Sequence, residues 1–323
     1  QRSAGRRLRF QEEEVPVEPL AADAFRGIDF ALFSAGASRS REFAPAAARA
    51  GAVVIDNSSA FRMDPEVPLV VPEINPEAAF RHQGIIANPN CTTIVMLMPL
   101  KPLHDHARVR RVVATSYQAV SGAGAKAIEE LRGQVTAWVK GEPLTAEVFP
   151  HQIAFNVLPH VDAFLENGYT REEMKLVHET RKILGDETIQ VSPTAVRVPV
   201  FRAHAVAVNV ETERPVSVAT ARELFAAFPG LRVLDDPSRL EYPMPLTAAG
   251  TDDCYVGRIR QDQSVPDGRG LASLERIVAE RLKDAAMEFI GARPSRHGNN
   301  AARRVSKLRG VVIGNDLELL HSV

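Results

Sequence analysis

A cysteine between a predicted strand and a predicted helix is the residue best suited to covalent chemistry. Cys91 follows Asn88-Pro89-Asn90 and precedes an apolar segment, residues 94–103, that is predicted to be helical. Unpaired N–H groups and the positive end of the helix dipole at a helix N-terminus favour the thiolate form of cysteine. Pro89 restricts the turn, and Asn90 places an amide beside the sulfur. The pattern favours a nucleophilic cysteine over a buried structural one.

The second cysteine, Cys254, lies in the strand-like segment Cys254-Tyr255-Val256-Gly257 and is predicted to belong to the core. Two cysteines supply neither a disulfide framework nor a four-cysteine zinc site. The sequence therefore predicts no metal site and indicates a reducing compartment.

Attack of a thiolate on a carbonyl requires a proton acceptor and donors for the developing oxyanion. The chain has nine histidines, and those of His104-Asp105-His106 are interpreted as solvated loop residues. His204 differs because it ends a β-rich segment that begins at Arg197. Arg197 can bind a carboxylate through two parallel hydrogen bonds. A surface ion pair is the alternative for Arg197, and a non-catalytic role is the alternative for His204.

Two further patterns are less specific. Gly122-Ala123-Gly124 lies between a predicted strand and a predicted helix, where glycines let backbone N–H groups approach a ligand. An ordinary strand-to-helix turn explains this segment equally well. Glu172 and Lys175 lie three residues apart on one face of a predicted helix, which is typical of a solvated pair.

The elements that carry these residues alternate between strand and helix in the first part of the chain. Residues 28–34 and 52–56 have strand character, residues 40–50 have helix character, and residues 68–71 and 84–87 are further apolar runs. This alternation predicts βαβ units and a buried parallel sheet. Ligands bind at the carboxyl ends of such strands, so the candidate ligand loops are residues 34–36, 57–59 and 88–90.

The second part of the chain indicates a larger mixed sheet. Residues 109–117 and 194–210 are long and β-rich, and residues 124–139 and 170–184 have a helical apolar period. An amphipathic helix is predicted around residues 275–290. The basic, weakly patterned stretch 293–309 is interpreted as peripheral.

Composition excludes two classes of partner. The 323 residues contain 39 Lys and Arg against 40 Asp and Glu, a formal net charge of -1. Nucleic-acid and membrane-surface proteins usually carry a basic excess. No segment has the roughly 18 uninterrupted apolar residues of a membrane span. We therefore expect neither nucleic acid nor a membrane as partner.

Together, several segments resemble the aspartate-β-semialdehyde dehydrogenase family, whose NADP-dependent members interconvert aspartyl phosphate and aspartate semialdehyde. The resemblance extends from about residue 2 to residue 260. It rests on segments that occur in the family's order: 56–63, 71–75, 88–93, 117–124, 154–157, 172–175, and 197–199 with His204. It implies reductive dephosphorylation of L-aspartyl 4-phosphate through a cysteine thioester, in lysine, threonine and methionine biosynthesis.

The resemblance also implies roles for individual residues. Cys91 would be the nucleophile and His204 the acid/base. Gln118 and Asn90 would position the substrate and the acyl intermediate. The remaining substrate contacts would be those of Arg197 with the carboxylate, Glu172 with the ammonium, and Arg62 and Lys175 with phosphate.

For the cofactor, the resemblance implies NADP. Arg2 and Ser3 match a position that receives the adenosine 2′-phosphate. The loop beneath the cofactor would be formed by Ser34, Ala35, Gly36 and Ser38. Asn57 and Gly122 would lie near the nicotinamide.

The implied fold is α/β, with a Rossmann-like NADP-binding domain (1–90) and an α+β catalytic and dimerisation domain (91–270). A C-terminal helix, 271–292, would return to the first domain, and 293–323 would be a peripheral tail. The family begins with a strand and a Gly-x-x-Gly-x-x-Gly turn, which the sequence from Gln1 does not contain, so the first domain is expected to be incomplete through processing or truncation. A cytoplasmic homodimer or tetramer is expected.

Departures from the family keep two alternatives open. Ala279-Glu280-Arg281 and Lys283-Asp284-Ala285-Ala286 replace the usual C-terminal helix motif, and alanines flank His204 where Gly and Ser are common. One alternative is an N-acetyl-glutamyl-phosphate reductase, although that family prefers Gly where this chain has Asn90. The other is a catalytically silent paralogue or fragment that binds a partner subunit.

Overall fold

The computed structural model describes residues 5–10, 13–265, 270–279 and 310–314. The chain divides into two compact units, Gln1–Asn90 with Leu282–Val323, and Cys91–Arg281. The strands of the first unit are β1 (Arg7–Phe10), β2 (Glu13–Pro16), β3 (Phe30–Ser34), β4 (Val53–Asp56), β5 (Ile85–Ala87) and β12 (Gly310–Gly314). Helix α1 (Ala37–Arg49) connects β3 to β4, and a 3₁₀ helix spans Pro76–Arg81.

A parallel four-stranded sheet of order β12-β3-β4-β5 forms the centre of the first unit, and β1 and β2 form a separate antiparallel pair. Ala31 and Phe33 alternate along β3 and are almost fully buried. Ala44 and Ala47 of α1 are also fully buried, and such small residues let a helix approach a sheet closely. The predicted βαβ arrangement and parallel sheet are confirmed.

The second unit contains a mixed six-stranded sheet of order β7-β6-β8-β11-β10-β9. Its strands are β6 (Val109–Gln118), β7 (Gln190–Arg197), β8 (His204–Thr212), β9 (Leu231–Val233), β10 (Cys254–Gly257) and β11 (Gly270–Ala279). Its helices are α2 (Cys91–Ala107), α3 (Ala125–Lys140), α4 (Arg171–Leu184), α5 (Val218–Ala227) and α6 (Pro245–Ala248), with 3₁₀ turns at Val120–Ala123 and Pro237–Arg239. The predicted mixed sheet is confirmed.

Two helices fix the framework of this unit. α2 is apolar almost all round and contacts β6, β8 and α4, so it is a central buried helix. α4 begins with a capping box in which Thr170 and Glu173 each bond the other's backbone N–H. The second oxygen of Glu173 accepts from the Ala195 N–H at 2.8 Å, which ties the start of α4 to β7.

The predicted helix 271–292 is wrong in its first part. Gly270–Ala279 form strand β11, which pairs antiparallel with both β8 and β10. The apolar residues of this segment recur every three or four positions, a spacing that indicates a helix. The segment nevertheless forms a strand, because β8 and β10 supply backbone hydrogen-bond partners on its two sides. Register shifts after Leu271 and after Leu274 accommodate the spacing. Residues 280–292 lie outside the described residues.

The peripheral interpretation of 293–323 is wrong for Gly310–Gly314. This segment is β12, and it pairs in parallel with β3 over five residue pairs. Val311, Val312 and Ile313 are β-branched, which favours a strand, and Ile313 is buried. β3 is therefore paired on both sides. Residues 293–309 and 315–323 lie outside the described residues.

Candidate active site

Cys91 is the first residue of α2, in agreement with the predicted strand-to-helix boundary. Its side chain is half-buried, and the first turn of the helix contains no acidic residue. Thr92, whose Oγ1 lies 3.9 Å from the Cys91 Sγ, and Thr93 are fully buried. Backbone N–H groups at a helix N-terminus stabilise a thiolate, so this position suits a nucleophile.

Three strand ends meet at one edge of the six-stranded sheet. β6 ends at Gln118 and β7 at Arg197, and the two strands run parallel with these residues opposite each other. β8 begins at His204 and runs antiparallel to β6. A strand that begins beside the ends of its neighbours shares their edge. The topology therefore brings Gln118, Arg197 and His204 together.

The backbone of Ala119 holds two of these side chains. Its N–H donates to Nδ1 of His204 at 3.1 Å, and its carbonyl accepts from Nη1 of Arg197 at 2.7 Å. The Arg197 guanidinium also lies over the ring of Phe149, 5.8 Å from the centroid. Burial lowers the pKa of Arg197, whereas Glu172 and Cys91 oppose that shift. Cys91 is thus within electrostatic range of a guanidinium that remains charged.

His204 is a neutral imidazole with a defined tautomer. Burial and the positive charge of Arg197 lower its pKa to about 4, although Glu172 opposes the shift. Because Nδ1 accepts the Ala119 N–H, the single proton of the neutral ring lies on Nε2. Nε2 is buried, and none of the residues that the structure describes forms a hydrogen bond with it. A buried donor without a partner is costly, which is typical of a group reserved for a ligand.

Gly122 packs directly against this pair. A Cβ added at Gly122 would lie 2.9 Å from Nη1 of Arg197 and 3.1 Å from both Cε1 and Nε2 of His204. Both distances are shorter than an ordinary van der Waals contact, so the Arg197 and His204 side chains would have to move to admit a Cβ. The glycine is therefore required by close approach of two functional side chains, and not by the turn alone.

Glu172 connects α4 to the same sheet edge. Its Oε1 accepts from Nε2 of Gln118 at 3.1 Å, and its Oε2 accepts from Nζ of Lys175 at 2.9 Å. Nζ of Lys175 also donates to Asp162 at 3.1 Å. Glu172 is 5% exposed, so this is not the solvated pair that the three-residue spacing alone suggests.

In the first unit, polar side chains connect the carboxyl ends of three parallel strands. Asn88, after β5, donates from Nδ2 to Oδ1 of Asn57 at 2.7 Å, and Nδ2 of Asn57 donates to Ser34 at 3.4 Å. The Arg62 guanidinium donates to the carbonyls of Asn88 and Asn57 at 2.9 and 3.0 Å. The three predicted ligand loops thus share one sheet edge.

The remaining predicted site residues are buried, exposed or outside the described residues. Ala35 and Asn90 are buried, and Asn90 immediately precedes Cys91. Gly36 and Ser38 are exposed at the start of α1. Arg2 and Ser3 lie outside the described residues.

Sequence patterns did not indicate Ala119, Phe149 or Asp162. Ala119 acts through its backbone, which any residue supplies. Phe149 and Asp162 lie in connections without apolar periodicity, so only folding reveals their contacts with Arg197 and Lys175.

Within the described ranges, no helix is long and apolar enough to span a membrane. The same residues contain no group of three or more His, Cys, Asp or Glu side chains arranged to hold a metal ion.

Comparison with known proteins agrees with this geometry. The model "Semialdehyde dehydrogenase, NAD binding domain" matches residues 1–82, and "Semialdehyde dehydrogenase, dimerisation domain" matches residues 100–275. The aspartate-semialdehyde dehydrogenase of Aquifex aeolicus is 53% identical over 88% of this chain and 84% of its own length. The chain belongs to the aspartate-semialdehyde dehydrogenase family. The predicted family and α/β fold are confirmed.

Solved structures of the aspartate-semialdehyde dehydrogenase family have the same fold. Aspartate semialdehyde dehydrogenase II from Vibrio cholerae is 43% identical, with a TM-score of 0.85 over 90% of this chain and 87% of that chain. A second structure of that enzyme, complexed with ASA, also has a TM-score of 0.85. The aspartate-semialdehyde dehydrogenase of Bacillus subtilis is 44% identical over 83% of this chain and 80% of its own length.

The buried neutral state of His204 predicts a pH dependence of stability. In the unfolded chain His204 takes up a proton near pH 6.5, whereas in the folded protein its pKa is about 4. Between these values the unfolded state binds more protons, so the free energy of unfolding decreases as pH falls from 6.5 to 4. Urea unfolding of wild type and His204→Asn across this range measures the effect, and the variant should show a shallower decrease. Parallel curves would show that His204 is not held neutral by the fold.

Proposed function

We propose that the chain catalyses the reversible, NADP-dependent reductive dephosphorylation of L-aspartyl 4-phosphate to L-aspartate 4-semialdehyde through a thioester on Cys91. The reaction would serve lysine, threonine and methionine biosynthesis. One observation carries the proposal: Arg197, His204, Glu172 and Gln118 converge at one sheet edge, and Arg197 is electrostatically coupled to Cys91. This set combines a nucleophile, a carboxylate-binding cation, an ammonium-binding anion and a proton donor.

The covalent steps involve the sulfur of Cys91. Its thiolate attacks the acyl carbon, a C–S bond forms, and the C–O bond to phosphate breaks, which leaves a thioester and inorganic phosphate. When bound, the nicotinamide supplies the hydride that reduces the acyl carbon. The sulfur then leaves as a thiolate, and the aldehyde is released. Gln118 and Asn90 hold the acyl group during these steps.

His204 acts through Nε2. Because Nδ1 is occupied by the Ala119 N–H, the neutral ring offers a donor and no second acceptor. As the substrate oxygen gains negative charge, Nε2–H donates to it and stabilises it, and the proton is available for transfer. Helix α2, and not His204, is then the main source of thiolate stabilisation.

Residues at the start of α1 fit a nucleotide cofactor. Gly36 has φ 86, and a Cβ at this position would meet no atom within 4 Å, so the backbone there faces open space. The first turn of α1 contains no acidic residue, and no side chain caps it. Such a helix N-terminus binds phosphate groups. Ser34, Ala35, Gly36 and Ser38 would hold the cofactor together with Asn57 and Gly122, and Arg2 and Ser3 would select the 2′-phosphate of NADP.

Phosphate would be bound by two cations. Arg62 is held rigidly by two backbone carbonyls, and a fixed guanidinium matches the geometry of phosphate oxygens. Lys175 carries a pKa that is raised because Glu172 and Asp162 together outweigh its desolvation. Lys175 therefore stays charged at neutral pH.

The central test replaces the nucleophile and compares it with the buried cysteine. Cys91→Ala should reduce phosphate-dependent reduction of NADP with aspartate semialdehyde by about a thousandfold or more, because the thioester cannot form. Cys254, which is 1% exposed, is the matched control. Cys254→Ala should retain activity of the wild-type order. Equal loss in both variants, or retained activity in Cys91→Ala, would refute the mechanism.

Gly122 supplies a second kinetic test. Gly122→Ala requires Arg197 and His204 to shift by a few tenths of an ångström. Because a displacement of about 1 Å costs roughly a hundredfold in rate, kcat should fall by about tenfold. Gly133 on α3 has open space around it, so Gly133→Ala controls for loss of a glycine. In steady-state kinetics Gly133→Ala should have the kcat of wild type, whereas Gly122→Ala should have a lower kcat. Unchanged kcat in Gly122→Ala would contradict the close packing.

We also propose that the second unit forms a homodimer. Large apolar side chains are exposed on it, among them Trp138 (59%) and Phe155 (61%), whose ring centroids lie 4.8 Å apart. Aromatic side chains are enriched at protein interfaces. The matched model's description as a dimerisation domain supports the same interpretation.

Sedimentation velocity tests this interface. The wild-type chain should sediment at twice its 35.3 kDa mass, and Trp138→Arg should shift it toward the monomer because a buried unpaired charge opposes association. Val15 of the first unit, which is 44% exposed, provides the control. Val15→Arg should leave the dimer intact. A dimeric Trp138→Arg variant would place the interface elsewhere.

A further inference from the structure

Lys175 lies between two carboxylates of the second unit. Its Nζ donates to Oε2 of Glu172 at 2.9 Å and to Oδ2 of Asp162 at 3.1 Å. The side chain of Glu172 is 7% exposed, and those of Lys175 and Asp162 are 26% and 37% exposed. The cluster therefore extends from the buried sheet edge towards solvent, with Asp162 as its outer member.

Glu172 already interacts with two donors in this arrangement. Gln118 donates to one of its oxygens and Lys175 to the other. If Glu172 binds the substrate ammonium, a role that rests on the proposed function, two cations share one carboxylate. Like charges this close in a partly buried site repel each other strongly. A second anion is needed for the ammonium group to bind well.

We propose that Asp162 is a positioning residue for recognition of the substrate's amino group. It balances the charge of Lys175, which bonds both carboxylates, so that Glu172 keeps enough negative charge to accept the substrate ammonium as well. Two carboxylates then match two ammonium groups. Asp162 acts through Lys175 and Glu172 and contacts no reacting atom.

The loop around Asp162 holds its carboxylate in place for this role. Asp162 has φ 68, and its Oδ1 accepts from the Ala163 N–H at 2.8 Å, which leaves Oδ2 directed at Lys175. On one side, Leu158 and Arg197 exchange two backbone hydrogen bonds of 2.9 Å; on the other, the Arg171 N–H donates to the Ala163 carbonyl at 2.9 Å. The carboxylate is thus fixed relative to both β7 and α4.

Charge and hydrogen bonding agree with this placement. Desolvation opposes ionisation of Asp162, but the hydrogen bonds from Ala163 and Lys175 outweigh it and hold its pKa below the ordinary value. Asp162 is therefore an anion at neutral pH. Asn at this position would keep the size and the Oδ1 acceptor and tolerates positive φ, so Asp162→Asn removes the charge selectively.

The test compares two aldehydes that differ only in the amino group, aspartate semialdehyde and succinic semialdehyde. In Asp162→Asn the KM for aspartate semialdehyde should rise by about tenfold, with kcat changed less than about twofold and the KM for succinic semialdehyde not raised. Glu166, an exposed carboxylate of the same loop, is the control. Glu166→Gln should leave both KM values unchanged. A purely structural role of Asp162 would affect both aldehydes equally.

Protection of Cys91 from iodoacetamide by each aldehyde measures binding without turnover. Selective loss of protection by aspartate semialdehyde in Asp162→Asn supports the inference. Equal protection of variant and wild type, an equal loss for both aldehydes, or a change confined to the KM of phosphate would overturn it. Wild type that neither turns over nor is protected would refute the proposed function itself, and the inference with it.

Discussion

The chemistry of the second unit depends on the two backbone hydrogen bonds of Ala119. Its N–H fixes the tautomer of His204, and its carbonyl fixes the guanidinium of Arg197. Both bonds are possible because Ala119 follows the end of β6, directly between the end of β7 and the start of β8. The sheet topology therefore determines the tautomer of His204, since a different register would leave Nδ1 without that donor.

Burial of so many charged groups is tolerated because each one is paired. Glu172 is 5% exposed and Arg197 6%, and an isolated ion at such depth would cost several kcal/mol. Glu172 accepts hydrogen bonds from Gln118 and Lys175. The Arg197 guanidinium donates to the Ala119 carbonyl and lies over the ring of Phe149. His204 is neutral, and in the part of the chain that the structure describes its Nε2 has no hydrogen-bond partner. Its missing partner is a free-energy cost that a bound substrate oxygen would remove.

Local sequence patterns predicted those parts of the fold whose structure depends on local interactions. Cys91 at the start of α2 and the βαβ alternation follow from turn residues and periodicity. The strands β11 and β12 were missed because their state is decided by distant neighbours, β8 and β10 for one and β3 for the other. The roles of Ala119 and Asp162 were missed for the same reason: a backbone group and a loop carboxylate acquire their function only from the residues that the fold brings to them.

The tautomer of His204 also constrains how the thiolate forms. A neutral imidazole whose Nδ1 is occupied and whose Nε2 carries the proton cannot accept a proton from Cys91 without first losing one. A pKa of about 4 makes the doubly protonated ring rare at neutral pH. Under the proposed function, deprotonation of Cys91 would therefore be favoured by the N-terminus of α2 and by the charge of Arg197. The fold would then separate two tasks: one helix would stabilise the sulfur anion, and one histidine would donate to the substrate oxygen.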